Sequence, residues 1–251
     1  MKTLVMGNEI VKMFGQGDER QTVLKNVSVQ IEKGEFVAVM GPSGSGKSTL
    51  LFALGGMEAI DGGTVTFNGQ NLSQLSEDQL SKLRQTGMGF VFQQPTLLKN
   101  LDILDNILLP ALRGSHKNVA ALTEKAEMLM QKMGIEELKG RSITEVSGGQ
   151  LQRAGICRAL LMTPEIIFCD EPTGALNSKS ANETMKLFSQ INAEGVALLI
   201  VTHDAKVAAN AQRVLFMRDG SIVDELRLSK TGHSTEENIK RVAQRLEYLE
   251  I

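Results

Sequence analysis

Apolar residues fall along this chain in three textures, and each predicts a different layer of structure. Phe36-Val37-Ala38-Val39-Met40, Ile166-Ile167-Phe168-Cys169 and Ala197-Leu198-Leu199-Ile200-Val201 are short runs without a polar break. That is the pattern of strands covered on both faces, as in a parallel sheet. From Met1 to Gln70 the strand-like pieces are instead interrupted by turn signals: Val27-Ser28-Val29-Gln30-Ile31 and Thr64-Val65-Thr66-Phe67 lie among Lys33-Gly34, Asp61-Gly62-Gly63 and Asn68-Gly69. This predicts antiparallel structure. Between Pro95 and Met162 the period becomes helical, with Val119, Leu122, Ala126, Leu129 and Met133 on one stripe that Gly134 ends. Ser76 and Gln79 have capping-box spacing for a helix toward Gln85, and a further helix is expected from about Ser180 to Ala193. The fold class is therefore α/β: a parallel core, an N-terminal antiparallel β subdomain and an inserted helical subdomain over residues 95–162. Residues 1–228 form the main domain, and 229–251 a helical extension.

The first apolar run leads into Gly41-Pro42-Ser43-Gly44-Ser45-Gly46-Lys47-Ser48. A Gly-x4-Gly-Lys-Ser pattern lets the backbone wrap around phosphate with its N–H groups inward, while the lysine neutralises β/γ charge and the serine hydroxyl faces Mg²⁺. Lys47 to Leu54 reads as a helix stopped by Gly55-Gly56, so the loop meets a helix N-terminus, where the dipole favours anions. A glycine-rich turn that matches by accident would lack this strand, loop and helix order. Thr49 extends the phosphate-binding set.

Composition narrows the classes that remain. The net charge is −2 over 251 residues, which argues against nucleic acid as a partner, because no cationic excess is present to replace counterions. No run of 18 apolar residues occurs, and Met1 to Ile10 lacks a signal-like apolar core. A cytoplasmic chain is expected. Cys157 and Cys169 fall in helical and strand patterns as buried, reduced thiols. They are too few for a zinc site, and His116, His203 and His233 are too scattered to complete one.

The run at Ile166 ends in Asp170-Glu171. An acidic residue at the tip of a strand adjacent to the phosphate loop can hold the water shell of Mg²⁺, and a second carboxylate can orient and deprotonate the attacking water. Asp170 is assigned to the metal and Glu171 to the base. A surface acidic pair is the bland alternative, which four preceding apolar residues disfavour. His203 follows the next strand, where a γ-phosphate sensor is needed, although a lone histidine at a strand end is often structural. Ser147-Gly148-Gly149-Gln150 is a capping box opening a helix to Leu161, with two glycines that leave N–H groups open to a phosphate.

Taken together, the Gly41–Ser48 loop, the Asp170-Glu171 strand and Ser147-Gly148-Gly149-Gln150 resemble the nucleotide-binding subunit of an ATP-binding-cassette (ABC) transporter, over roughly residues 1 to 228. The resemblance implies a P-loop NTPase core, ATP and Mg²⁺ as cofactors, and a second copy of the chain paired head to tail. The Ser147–Gln150 signature of one copy would close on the ATP of the other. It further implies that Gln93 touches Mg²⁺ and links the core to the helical lobe, and that Phe14 stacks on adenine where the family usually has tyrosine. The metal set is then Ser48, Gln93 and Asp170, and the catalytic set Glu171, His203 and Gln93. Val146 stands where a leucine is usual. Asn177 replaces the usual aspartate of the D-loop, keeping hydrogen-bond capacity and losing charge.

An integral membrane permease is the implied partner, which would place the chain on the cytoplasmic face of the membrane. A soluble ABC ATPase is the alternative, but chromosome-type members separate the two motifs with long coiled coil, and translation-type members usually carry two cassettes. A P-loop kinase or GTPase would have no use for the signature. Met88–Leu98 and Asp105–Pro110 resemble cassettes of macrolide exporters, antimicrobial-peptide exporters and lipoprotein-release machines, and Thr173–Ser180 leans toward the antimicrobial-peptide branch. Leu97-Leu98 and Ile107-Leu108-Leu109 are candidates for permease contact, about half of them expected to pack the lobe's own core. In the tail, Ser234-Thr235-Glu236-Glu237 caps a helix with Ile239, Val242, Leu246 and Leu249 on one stripe. That stripe docks either on its own domain or on a partner.

Overall fold

The computed structural model describes residues 2–15, 17–112, 118–228 and 234–251. Met1, His116, His233 and the first part of the 229–251 extension lie outside these. Two sheets organise the chain. The first is antiparallel, in the order β2-β1-β4-β5, with β1 Thr3–Phe14, β2 Gln21–Glu32, β4 Gly62–Phe67 and β5 Gln70–Asn71. The second runs β10-β9-β3-β8-β7-β6, with β3 Phe36–Met40, β6 Met88–Val91, β7 Ile166–Asp170, β8 Ala197–Val201, β9 Arg213–Arg218 and β10 Ser221–Arg227. Every pairing in it is parallel except the β9–β10 hairpin.

The unbroken apolar runs follow from burial on both faces. Val37 and Val39 of β3 join one core with Leu199 of β8 and the antiparallel sheet, while Phe36, Ala38 and Met40 join a second core with Leu198, Ile200 and the helices. Successive side chains point to opposite faces, so a polar residue at either parity would be stranded in a core. Helix α1, Lys47–Leu54, contributes Leu50, Leu51 and Leu54 to the first core. Helices α3 (Ile103–Leu108), α4 (Val119–Lys132), α5 (Gly148–Leu160) and α6 (Ser178–Ala193) cover the opposite face. The capping boxes at Ser76–Gln79, which opens α2 (Glu77–Gly87), and at Ser147–Gln150 both form. Cys157 and Cys169 are buried and unpaired by any disulfide, and burial pushes the Cys157 thiol up to about 12.

Three details depart from the sequence reading. Of Asp61-Gly62-Gly63, only Asp61 bends, and the two glycines are the start of β4, bulged against β1 between Asn8 and Val11. Gly63 sits at φ +79°, and a Cβ there would fall 2.3 Å from Glu9 O, so glycine serves a bulge rather than a reversal. Val119 is 41% exposed despite its place on the α4 stripe, because it opens the helix beyond the packed turns; Ala126 and Met130 are fully buried. β7 is not adjacent to β3, since β8 lies between them. Of the two options for the tail stripe, helix α8, Thr235–Tyr248, takes the first and docks on its own domain: Val242 is fully buried in the helix-side core, and Leu246, Leu249 and Ile251 pack against that core. Arg245 pairs with Asp224 of β10, and Arg218 donates to Leu249 O at 2.8 Å.

Candidate active site

The phosphate loop lies between β3 and α1, at the C-terminal end of the parallel strands. Its backbone is pressed against β9: a Cβ on Gly41 would meet Met217 O at 2.2 Å, and Gly220 N donates to Ser45 O at 3.2 Å. Only glycine permits the first approach. Ser45 is 3% exposed, and its Oγ has no hydrogen-bond partner among the described residues. An orphaned hydroxyl in this position fits a loop shaped for an oxyanion ligand. Lys47 arches back so that Nζ donates to Pro42 O at 2.8 Å. Burial lowers its pKa, and the charges of Glu171 and Asp170 offset this in part. Pro42, Ser43 and Gly44 are exposed at the loop tip, and Thr49 is half-buried on α1.

Although β8 intervenes, the tip of β7 reaches the loop's helix. Ser48 Oγ donates to Asp170 Oδ1 at 2.8 Å. Burial raises the Asp170 pKa most; the Ser48 bond and Lys47 oppose this, and neighbouring Glu171 adds to it. A half-buried carboxylate bonded to a hydroxyl beside an anion loop is a donor set suited to Mg²⁺, which is held by few protein oxygens and completed by phosphate and water. Among the described residues no group of three His, Cys, Asp or Glu side chains forms a self-contained metal site.

Glu171 turns the chain sharply, at φ +44°, with its N–H donating to Val201 O at 3.0 Å and its carbonyl accepting from Gly174 at 3.0 Å. For a residue with a Cβ this conformation costs of the order of 1 kcal/mol or more, and it aims the carboxylate across the strand ends. Glu171 Oε1 lies 3.2 Å from His203 Nδ1. A Cβ on Gly174 would fall 2.8 Å from Gln93 Nε2 and 3.3 Å from Glu171 Oε2. Glu171, Gln93 and Gly174 therefore converge, and Glu171, Gly174 and His203 line a cavity of about 220 Å³.

The other expected residues lie apart from this cluster. Phe14 ends β1 with 44% of its surface exposed. Ser147, Gly148, Gly149 and Gln150 open α5, with Gln150 Oε1 accepting from Ser147 N at 2.9 Å. None of the four hydrogen-bonds to the phosphate loop, Asp170 or Glu171 among the described residues. Gly148 has open space where a Cβ would stand. Asn177 Oδ1 accepts from Ser180 N at 2.9 Å and caps α6.

A model of the family described as "ABC transporter" matches residues 24–174, more than half of the chain. The chain belongs to the ABC transporter family. Its relatives include a macrolide export ATP-binding/permease protein MacB from Mannheimia succiniciproducens, 42% identical over 217 residues, covering 86% of this chain and 34% of that protein. The MacB of Neisseria meningitidis serogroup A is 39% identical over 246 residues, covering 97% of this chain and 37% of the relative. This chain thus spans about a third of the length of these proteins. Among solved structures, the ATP-binding cassette MJ0796, in a dimeric post-hydrolysis state bound to ADP and Pi, superposes with a TM-score of 0.82 at 37% identity, covering 90% of this chain and 99% of that one. A nucleotide-free ABC cassette gives a TM-score of 0.83 at 27% identity. The two-sheet α/β architecture is that of the ABC cassette, a P-loop NTPase fold with an N-terminal antiparallel sheet and a helical layer inserted into its core.

Sequence reasoning overlooked two contributors to the site. The β9–β10 hairpin props the phosphate loop through Met217 and Gly220, and its signal was the Asp219-Gly220 pair between two strand-like runs, both residues at positive φ. Gly174 is the other: it keeps Gln93 and Glu171 within reach of one spot, and only the folded geometry reveals that.

Proposed function

We propose that this chain is an Mg²⁺-dependent ATPase cassette that drives export through a membrane permease from the cytoplasmic face of the membrane. The observation carrying the reading is the convergence of Glu171, His203 and Gln93 beside the Ser48–Asp170 pair. ATP phosphates would sit in the Gly41–Thr49 cradle, with Lys47 exchanging Pro42 O for phosphate oxygen. Ser48, Asp170 and Gln93 would hold Mg²⁺, which when bound neutralises developing phosphate charge. Glu171 takes the proton of the attacking water, and His203, bonded to it, faces the γ-phosphate.

The capping box at Ser147–Gln150 lies outside this cluster, which supports a head-to-tail dimer in which the signature closes on the partner's nucleotide; the dimeric MJ0796 cassette lends weight to it. For the permease, a groove of about 470 Å³ between the core and the helical lobe is lined by Met57, Phe90, Phe92, Leu109 and Arg158. Leu98 and Leu109 are exposed, while Leu97, Ile107 and Leu108 are spent on the lobe's core. The MacB relatives weigh toward macrolide-like cargo over antimicrobial peptides or lipoproteins. The division into a 1–228 cassette with a 95–162 lobe and a 229–251 extension belongs to the same reading.

The test is Glu171→Gln. Phosphate release should fall by about 10²- to 10⁴-fold, the usual worth of a positioned base. ATP should still bind and hold a dimer on size exclusion with Mg-ATP. Undiminished turnover would remove Glu171 from the role of base, and an inactive variant that stays monomeric at high concentration would count against the closed dimer.

A further inference from the structure

Lys12 is a buried cation tied down on three sides. The residue is only 9% exposed, yet Nζ donates to Ala59 O at 2.7 Å, pairs with Glu58 Oε1 at 2.6 Å, and lies 4.8 Å from the centroid of the Phe14 ring. Lys12 and Phe14 are two apart on β1 and so project to the same side of the strand. A partly buried ion pair with Glu58 explains the first contacts without the ring. It does not explain why the ammonium is carried beneath the one exposed aromatic at this end of the antiparallel sheet.

The position of that ring relative to the phosphate loop gives the contact a purpose. Phe14 pairs with Gln21, Met13 with Thr22 and Lys12 with Leu24 of β2. Val23 O of the same stretch stands 2.9 Å, and Leu24 Cδ2 3.1 Å, from where a Cβ on Gly46 would be. The phosphate loop and Phe14 therefore flank one short segment of β2, with adjacent strands about 5 Å apart. A ligand whose phosphates fill the loop brings its base to the Phe14 ring.

We infer that Lys12 is a positioning residue for the nucleobase: it occupies one face of Phe14, fixes the ring, and leaves the opposite face to stack on adenine. A cation on one face draws electron density from the ring, which favours an electron-rich purine on the other. This inference rests on the ATP-binding reading above and adds a residue to it that no phosphate contact requires.

The experiment measures binding of ATP and of inorganic tripolyphosphate to the full chain by calorimetry. Lys12→Met should weaken ATP by about two- to fivefold, the scale of a cation–π contact at a partly exposed site, and leave tripolyphosphate unchanged. Lys12→Arg should restore ATP affinity, and in a Phe14→Leu background Lys12→Met should have no further effect. The double variant Lys12→Met/Glu58→Gln removes both charges, so a folding defect from unpaired Glu58 is separated from loss of the ring contact; it should behave as Lys12→Met. Equal weakening of both ligands, an undiminished loss in the Phe14→Leu background, or unchanged ATP affinity in both Lys12 variants overturns the inference. Failure of the nucleotide reading looks different: wild-type chain would then bind neither ligand, or bind them equally well after Lys47→Ala.

Discussion

Truncating Val242 to alanine asks whether the tail belongs to this domain. The side chain is fully buried on α8, in the core that also holds Phe216 and Leu228. Removing two methyl groups forfeits ~1.6 kcal/mol of transfer free energy at ~0.8 per buried carbon. The cavity left behind adds up to about 1 kcal/mol, depending on how far α7 (Ala205–Ala208), which packs on α8, can settle into it. Alanine's better helix propensity returns ~0.5 kcal/mol. The net cost is about 1–2 kcal/mol, which for a domain of this size lowers Tm by roughly 2–8 °C. Differential scanning calorimetry measures the shift, and limited proteolysis reports whether the tail is cut first. ATP binding should be unchanged, because no phosphate-contacting group lies on α8. A Tm within a degree of wild type, combined with weaker dimerisation or permease association, would refute the reasoning and place the stripe on a partner.

Two further outcomes follow from the same geometry. Lys47→Ala and Ser147→Arg chains should each be inactive alone, while an equal mixture recovers roughly a quarter of wild-type phosphate release, since about half of randomly paired dimers are mixed and each has one sound composite site; complete silence of the mixture means obligatory coupling between sites or a wrong pairing. Asp224 has its pKa lowered, first by the Arg245 bond, so its stabilisation of the tail is complete above the ordinary carboxylate range of about 4 and is lost as pH falls through the depressed folded value; Asp224→Asn should flatten the acid limb of a Tm-against-pH curve, and an unaltered limb would show that the pair carries no such linkage.

What could be read from the sequence was set by local physics, and what could not was set by long-range proximity. The buried strands announced themselves because both their faces meet apolar cores, and the capping boxes because a serine and a glutamine three residues apart close on each other wherever a helix starts. Asp61-Gly62-Gly63 misled for an instructive reason: glycine signals positive φ, and a bulge needs that as much as a turn does. Adjacency in the sheet was also illegible, since no local pattern says that β8 inserts between the phosphate-loop strand and the acidic one. The roles of Gly174 and Lys12 combine a near neighbour, Glu171 and Phe14, with a partner 81 and 46 residues away in sequence, Gln93 and Glu58, so no single window of periodicity contains them.

Asn177 shows how the two levels combine. From sequence, an amide in place of a carboxylate reads as lost charge in a loop that links two sites. In the fold, its Oδ1 is already engaged with Ser180 N as the cap of α6, and asparagine and aspartate cap helices about equally well. The substitution is therefore neutral for the folding of α6, and in the proposed head-to-tail dimer any consequence of the missing charge is expected at the partner's site. An Asn177→Asp chain should thus match wild type in Tm to within a degree or so, while the dependence of turnover on ATP concentration changes shape. A stability change of several degrees would mean that the cap, not the interface, is what the amide serves.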